Sequence, residues 1–195
     1  MRITVKIGLL FAAIWIGLKM VLFATQVGAS RYDLTVPILT NILCLLLAIS
    51  IGLYLHKSAE KEYTNALGDI KNGLSAGVPY IIIVSVFLYF YYTKIDPEYN
   101  QHQRSEAAMQ LEKLLDDPDD LQKMRDSNAE FEVMSVEEIR ESIISNQEAM
   151  YSPQAVTTIS LLGMLILATF NSIFITIIYR KLIFRQAPPP PERQR

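Results

Sequence analysis

Polar side chains inside long apolar stretches are the first candidates for chemistry in this 195-residue chain. Lys19 is the one ionisable residue deep in such a stretch, where an amine could bind an anion or line a transport path. An amine at that depth can also extend to the membrane boundary or contact the carboxamide of Asn41. Asn171, in the last apolar stretch, is expected to form an interhelical hydrogen bond. We interpret all three as structural polar contacts, with transport as the alternative for Lys19.

Titratable residues elsewhere do not form a catalytic or metal-binding pattern. The acids of residues 116–120 could attract Ca²⁺ or Mg²⁺, but their spacing is not that of an EF-hand loop. Pro118 suits a first helical turn, so these acids are interpreted as helix-capping groups. His56 and His102 are predicted to lie on opposite sides of a membrane, and the single cysteine, Cys44, excludes a disulfide framework. The sequence therefore predicts no catalytic residue, no cofactor and no bound metal.

Four long apolar runs hold or flank the polar residues described above. They cover about residues 7–27, 36–55, 73–92 and 155–179 of a chain that is 51% hydrophobic. Each run has roughly 20 residues or more, enough to cross a bilayer core as a helix. The sequence therefore predicts an all-α integral membrane protein with four transmembrane helices, the fourth within residues 153–182.

The first run also has features of a signal peptide. Arg2 and Lys6 precede it, and Val27-Gly28-Ala29 is similar to a cleavage site. The length of the run and its interruption by Lys19 are not typical of a signal core. We therefore expect the first helix to be retained.

The charges between the runs are sorted by sign. Ten Lys or Arg and four Asp or Glu lie in the segments before residue 7, at 56–72 and after residue 179. Residues 93–152 hold six Lys or Arg and fifteen Asp or Glu. Cations near membrane helices stay on the cytoplasmic side. The pattern predicts a bacterial inner-membrane protein with both termini in the cytoplasm, including the proline-rich tail 183–195. Residues 93–152 then form an acidic extracytoplasmic insert between helices 3 and 4.

The insert is predicted to be helical. A helix restart is expected at Pro118, a loop over residues 127–134 anchored by Phe131 and Val133, and a capping box at Ser135 and Glu138. The apolar side chains expected to share helix faces are Ala107, Leu111, Leu114, Leu115, Val136, Ile139 and Ile143.

Small residues four apart predict close contacts between membrane helices. These pairs are Ala13 with Gly17, Ala48 with Gly52, and Gly73 with Gly77. We expect them to join the four helices of one chain, and a homo-oligomer interface is the alternative. In the connector 56–72, Leu67 and Ile70 are expected on the apolar face of a short interfacial helix, with Asp69 on its polar face.

Several segments together resemble a known family. They are 68–77 (Gly-Asp-Ile-Lys-Asn-Gly-Leu-Ser-Ala-Gly), 95–99 (Ile-Asp-Pro-Glu-Tyr), Ser152-Pro153 and Tyr179-Arg180-Lys181. Their order resembles the uncharacterised bacterial membrane proteins grouped as domain of unknown function 4199, over about residues 3–182. The resemblance implies an inner-membrane protein with four spans and one extracytoplasmic insert. It implies no activity, so no catalytic residue is carried over.

Two functions agree with these patterns. The first is a non-enzymatic accessory or scaffold protein of the lipid bilayer, whose insert 93–152 recognises a protein partner in the envelope. The alternative is a small transporter or channel component that works as an oligomer, with Lys19 and Asn41 near the path. An intramembrane enzyme has little support, and no nucleic-acid partner is expected.

Overall fold

The computed structural model describes residues 2–25, 35–59 and 65–183. Predictions for the possible cleavage site at 27–29 and for the proline-rich tail fall outside these ranges. The described elements are α1 (Ile3–Thr25), α2 (Thr35–Ala59), α3 (Ala66–Phe90), a π-helical turn (Tyr91–Ile95), α4 (Pro97–Asp116), α5 (Pro118–Ser127), α6 (Ala129–Glu132), α7 (Val136–Met150), α8 (Pro153–Ile178) and a second π-helical turn (Tyr179–Ile183).

Four helices in the described ranges are long and apolar enough to span a membrane: Ile3–Thr25, Thr35–Ala59, Ala66–Ile95 and Pro153–Leu182. The described residues form helices and no strand, which confirms the all-α prediction. The third helix begins at Ala66 rather than near residue 73. Asn65 accounts for the earlier start, because its Oδ1 accepts a hydrogen bond of 2.7 Å from the N–H of Gly68.

The chain divides into two compact units, Met1–Val84 with Leu161–Arg195, and Ser85–Ser160. In the first unit, close packing centres on Ala76 of α3. A methyl group at Gly8 of α1 would overlap the carbonyl oxygen of Ala76, and one at Gly52 of α2 would lie 2.9 Å from its Cβ. Glycine at these two positions therefore lets α1 reach the backbone of α3 and lets α2 reach the methyl group of Ala76.

An adjoining face of α3 packs on α8 through a second set of small residues. A Cβ at Gly73 would lie 3.0 Å from Oγ of Ser172, and one at Gly77 would lie 3.4 Å from Cβ of Ala168. We call these four residues the α3–α8 seam. Two pairs of small residues thus face each other at a spacing of four, which allows close approach of the helix axes.

The structure distributes the predicted packing residues unevenly. Gly73, Gly77, Ala48 and Gly52 are buried between helices. Ala13 and Gly17 are exposed on α1, and a Cβ at Gly17 would meet no atom within 4 Å in the part of the chain that the structure describes. The small residue that α1 uses for close contact is Gly8 instead, nine residues before Gly17 along the helix.

One connector residue also lies opposite to expectation. Asp69, expected on a polar face, is 0% exposed, whereas the side chain of Leu67 is 74% exposed, as on an apolar face turned away from the protein. Residues 66–72 belong to α3 itself rather than to a separate interfacial helix. The helix therefore turns its carboxylate toward the protein, where cations of neighbouring helices can reach it.

The second unit has its own apolar core. Leu111 and Leu115 of α4 pack with Ile139 of α7. The surrounding side chains are Leu121, Met124, Phe131, Met134, Val136 and Ile143. Most of this core was predicted from helical spacing, because buried positions recur every three to four residues on an amphipathic helix.

Helix ends in this unit follow their predicted signals. Pro118 opens α5, and the side chain of Asp117 accepts a hydrogen bond from the N–H of Asp119. Ser135 and Glu138 form the predicted capping box of α7. The N–H of Ser135 donates to Glu138 at 2.7 Å, which holds the pKa of that carboxyl below its usual range.

The predicted loop 127–134 contains a short helix, α6, capped by the side chain of Asn128. Phe131 packs on the core as expected. Val133 does not anchor the segment, since its side chain is 88% exposed. The expectation for Val133 was wrong because a single apolar residue outside a repeating pattern carries little information about burial.

Gly8→Ala should destabilise the first unit, because the added methyl group would overlap the backbone of Ala76. We expect the free energy of unfolding in detergent micelles to fall by about 1–3 kcal/mol, the usual cost of overpacking. Gly17→Ala is the matched control on the same helix and should leave stability unchanged. Equal effects of the two substitutions would contradict the described contact between α1 and α3.

Candidate functional site

A buried ion-pair cluster joins three membrane helices. Oδ2 of Asp69, in the first turn of α3, lies 2.8 Å from Nζ of Lys57 near the end of α2. The same oxygen lies 3.6 Å from Nε of Arg180, just after α8. The two cation side chains are 14% and 24% exposed, whereas the carboxylate is fully buried. We call these three residues the Asp69 cluster.

Local helix electrostatics favour the same arrangement. An acid in the first turn of α3 faces the positive end of the helix dipole, and Lys57 lies at the negative end of α2. A buried carboxylate without a cation would cost several kcal/mol. Two cations from different helices meet that requirement, so the ends of α2 and α8 are held against the start of α3.

Tyr179 adds a second contact between α2 and the chain after α8. Its hydroxyl donates to the carbonyl oxygen of Ser50 at 3.0 Å. Its ring packs edge-on against Tyr54, with ring centroids 6.4 Å apart. Two residues of the sequence signal Tyr179-Arg180-Lys181 thus bind neighbouring helices, Tyr179 on α2 and Arg180 on α3.

A polar contact in the apolar part of the first unit involves Asn41. The hydroxyl of Tyr80 on α3 donates to Oδ1 of Asn41 at 2.5 Å and lies 3.1 Å from its backbone oxygen. Nδ2 of Asn41 lies 3.5 Å from Sδ of Met164 on α8. One carboxamide therefore connects α2, α3 and α8, which agrees with its interpretation as a structural polar contact.

The other two intramembrane candidates lie in different surroundings. Lys19 is buried on α1 and interacts with a neighbouring group, so it is not an exposed charge in lipid. Asn171 is half-buried, and its Nδ2 has no hydrogen-bond partner among the described residues. The expected interhelical hydrogen bond from that nitrogen is thus not formed.

The second unit contains a polar and aromatic group at the π-helical turn Tyr91–Ile95. The hydroxyl of Tyr91 donates to buried Asp96 at 3.3 Å. The rings of Tyr92 and Tyr99 lie 5.2 Å apart, and burial raises the pKa of Tyr99. Asn100 is buried nearby in sequence, on the first turn of α4. π-Helical turns are often retained at functional sites, so this group is a second candidate.

The part of the chain that the structure describes contains no set of side chains arranged to bind a metal ion. No group of three or more His, Cys, Asp or Glu residues lies close enough together to hold an ion. The acids around Pro118 cap α5 or pair locally, as Asp120 does with Lys123 at 2.6 Å. The sites of interest are therefore polar contacts between helices and the surface of the second unit.

Comparison with known proteins then assigns the chain. The model of the family described as "Protein of unknown function (DUF4199)" matches residues 6–181. The chain belongs to the DUF4199 family. The match covers the four membrane-spanning helices and α4–α7, in agreement with the resemblance seen in the sequence. No curated protein and no solved structure matches.

Two important residues of this DUF4199 chain were missed from sequence. The sequence pattern placed Asp69 on the polar face of a helix. A signal for an ion pair was nevertheless present, because Asp69 lies between two apolar runs, near Lys57 in the chain and on the same predicted side of the membrane as Arg180-Lys181. Tyr80 has no comparable signal, because tyrosine in a membrane helix is usually a packing residue or a boundary anchor. Its role became visible only through its contact with Asn41.

Asp69→Asn should destabilise the DUF4199 protein, because Lys57 and Arg180 would lose their shared anion. Breaking a fully buried pair costs about 3–5 kcal/mol, and partial exposure of both cations places the expected loss nearer 3 kcal/mol. The measurement is the free energy of unfolding in detergent micelles.

The matched control is Glu137→Gln, which removes an exposed ion pair with Arg140 on α7. An exposed pair contributes about 0–1 kcal/mol, so the control should change stability little. If Asp69→Asn were as mild as this control, the Asp69 cluster would not hold the helices together.

Proposed function

We propose that this protein is a non-enzymatic accessory or scaffold subunit of the bacterial inner membrane, with both termini in the cytoplasm. The insert 93–152 would recognise a protein partner in the envelope. One observation carries the proposal: α4–α7 pack around a core of their own, Leu111, Leu115 and Ile139. A segment with its own core can hold a fixed surface for a partner, which a simple connecting loop cannot.

The surface of the insert supports a partner of complementary charge. Thirteen of its fifteen acids are exposed; Asp96 is buried and Asp120 is half-buried. The segment carries six cations, so its formal net charge is −9. A surface of one sign steers a basic partner toward it and speeds association at low ionic strength.

Exposed apolar side chains on the same segment would provide contact area. They are Met109, Leu114, Val133, Ile144 and Met150. Val133 stands out, because it lies beside Glu130 and Glu132 and is almost fully exposed. Interfaces commonly combine an apolar centre with a charged rim, and this arrangement has both.

A transport role is the second candidate, and buried Lys19 is the observation that favours it. The engagement of Asn41 by Tyr80 and Met164 favours a packed interior over an open path. Replacing Lys19 by cysteine in a Cys44→Ala background and labelling with a membrane-impermeant thiol reagent separates the two. A scaffold predicts slow labelling, whereas a transport path predicts rapid labelling.

The scaffold proposal predicts a specific cross-link from position 133. A photoreactive phenylalanine analogue replacing Val133 should yield one discrete adduct with another protein in native membranes. Glu130→Lys combined with Glu132→Lys should abolish the adduct, because the rim charge around Val133 is reversed. Raising the salt concentration should weaken it.

Glu98→Lys combined with Glu106→Lys is the matched control, with the same charge change in the first half of α4 instead of on α6. This control should retain the adduct. Cross-linking only to a second copy of the chain, or an adduct that survives both charge reversals equally, would contradict the proposed recognition surface.

A further inference from the structure

A groove of about 220 Å³ lies between α4 and α7 in the second unit. Its lining residues are Arg104, Ser105, Ala108, Ile144, Gln147 and Glu148. Sites for drug-sized ligands usually have about 300–1,000 Å³, so this groove is suited to a smaller group such as a chain end. Its lining combines charged, polar and apolar side chains.

The groove follows from the way in which the two helices pair. Leu111 and Leu115 of α4 meet Ile139, whereas Ala108, earlier in α4, shares the groove with Ile144, later in α7. The two helices are therefore antiparallel. Alanine at position 108 is small, and Ile144 opposite remains partly exposed where a larger residue would have covered it.

Arg104 differs from the other arginines of the insert. Arg140 pairs with Glu137 at 2.7 Å, and Arg125 donates to the carbonyl oxygen of Met134. The Nε atoms of all three arginines are buried without a partner, but Arg104 also forms no ion pair or hydrogen bond through its other side-chain nitrogens among the described residues. A buried donor without an acceptor is costly, so an acceptor supplied from outside would be favoured.

From these observations we propose that the groove binds the carboxyl end of a peptide chain, contributed by the protein partner of the insert. The terminal carboxylate would accept paired hydrogen bonds from the guanidinium of Arg104. The terminal side chain would contact Ala108 and Ile144. The inference rests on the proposed recognition function and names the chemistry by which the insert would take hold of its partner.

Glu148 favours a chain terminus over an isolated carboxylate. A terminal residue carries a carboxylate, an N–H donor and a side chain on one carbon atom. The groove offers a guanidinium, a carboxylate acceptor at Glu148 and an apolar floor, which match these three groups in turn. Glu148 would also repel a ligand with a second negative charge.

The test uses the full chain in lipid nanodiscs and a fluorescent peptide, Lys-Gly-Ala-Leu, with a free C-terminal carboxylate. The free acid should bind saturably. The C-terminal amide should bind at least about tenfold more weakly, because the charge-assisted hydrogen bonds are lost. An amidated peptide ending in glutamate tests the side-chain source of the same carboxylate and should also bind weakly.

Variants locate the site. Arg104→Gln and Ala108→Leu should each weaken binding of the free acid by about tenfold or more, the first by removing the charge and the second by filling the groove. Arg140→Gln is the matched control, because that arginine is already paired with Glu137, and it should bind as the wild type does. Circular dichroism should show the same helical content in all three.

Equal binding of acid and amide, absence of saturable binding, or full binding by Arg104→Gln would each overturn the groove proposal. Combining the peptide assay with the cross-linking experiment keeps this outcome separate from the function. An adduct at position 133 that is retained in Arg104→Gln would leave the partner proposal standing and remove the groove. Peptide binding without any adduct at position 133 would leave the groove standing and remove the proposed recognition surface around Val133.

Discussion

A buried carboxylate is the constraint on which the membrane part of this protein depends. Asp69 is fully shielded from solvent and must be matched by positive charge, which comes from Lys57 and Arg180 on two other helices. Because isolated buried charge is so unfavourable, the three helix ends cannot separate without strong loss of stability. A single side chain thus determines which ends of α2, α3 and α8 meet.

The α3–α8 seam extends the effect of this constraint along the membrane. Beyond the ion pairs, Gly73 and Gly77 face Ser172 and Ala168 at close range, and Tyr80 then reaches Asn41 on α2. Apolar burial does not drive helix association in lipid, so close backbone approach and polar contacts must supply it. The first unit has both kinds of contact in succession along α3, which meets α2 and α8 through them.

Sequence reasoning was reliable where a pattern repeats and weak where one contact decides. Four spans and the Ser135 capping box were predicted because apolar length and cap spacing are local properties. The roles of Asp69 and Gly8 were missed because each depends on which neighbour the third dimension brings near. Gly17 has the same spacing signal as Gly73, yet a Cβ there would meet no atom of the described residues within 4 Å, since spacing does not say which way a helix face points.

The most direct test of this account is a double-mutant cycle on the Asp69 cluster. The free energy of unfolding in micelles would be measured for the wild type, Asp69→Asn, Lys57→Gln and the double variant. The account predicts a coupling free energy of about 1–3 kcal/mol, because each single change leaves a charge without its partner. Additive effects, with a coupling near zero, would contradict it.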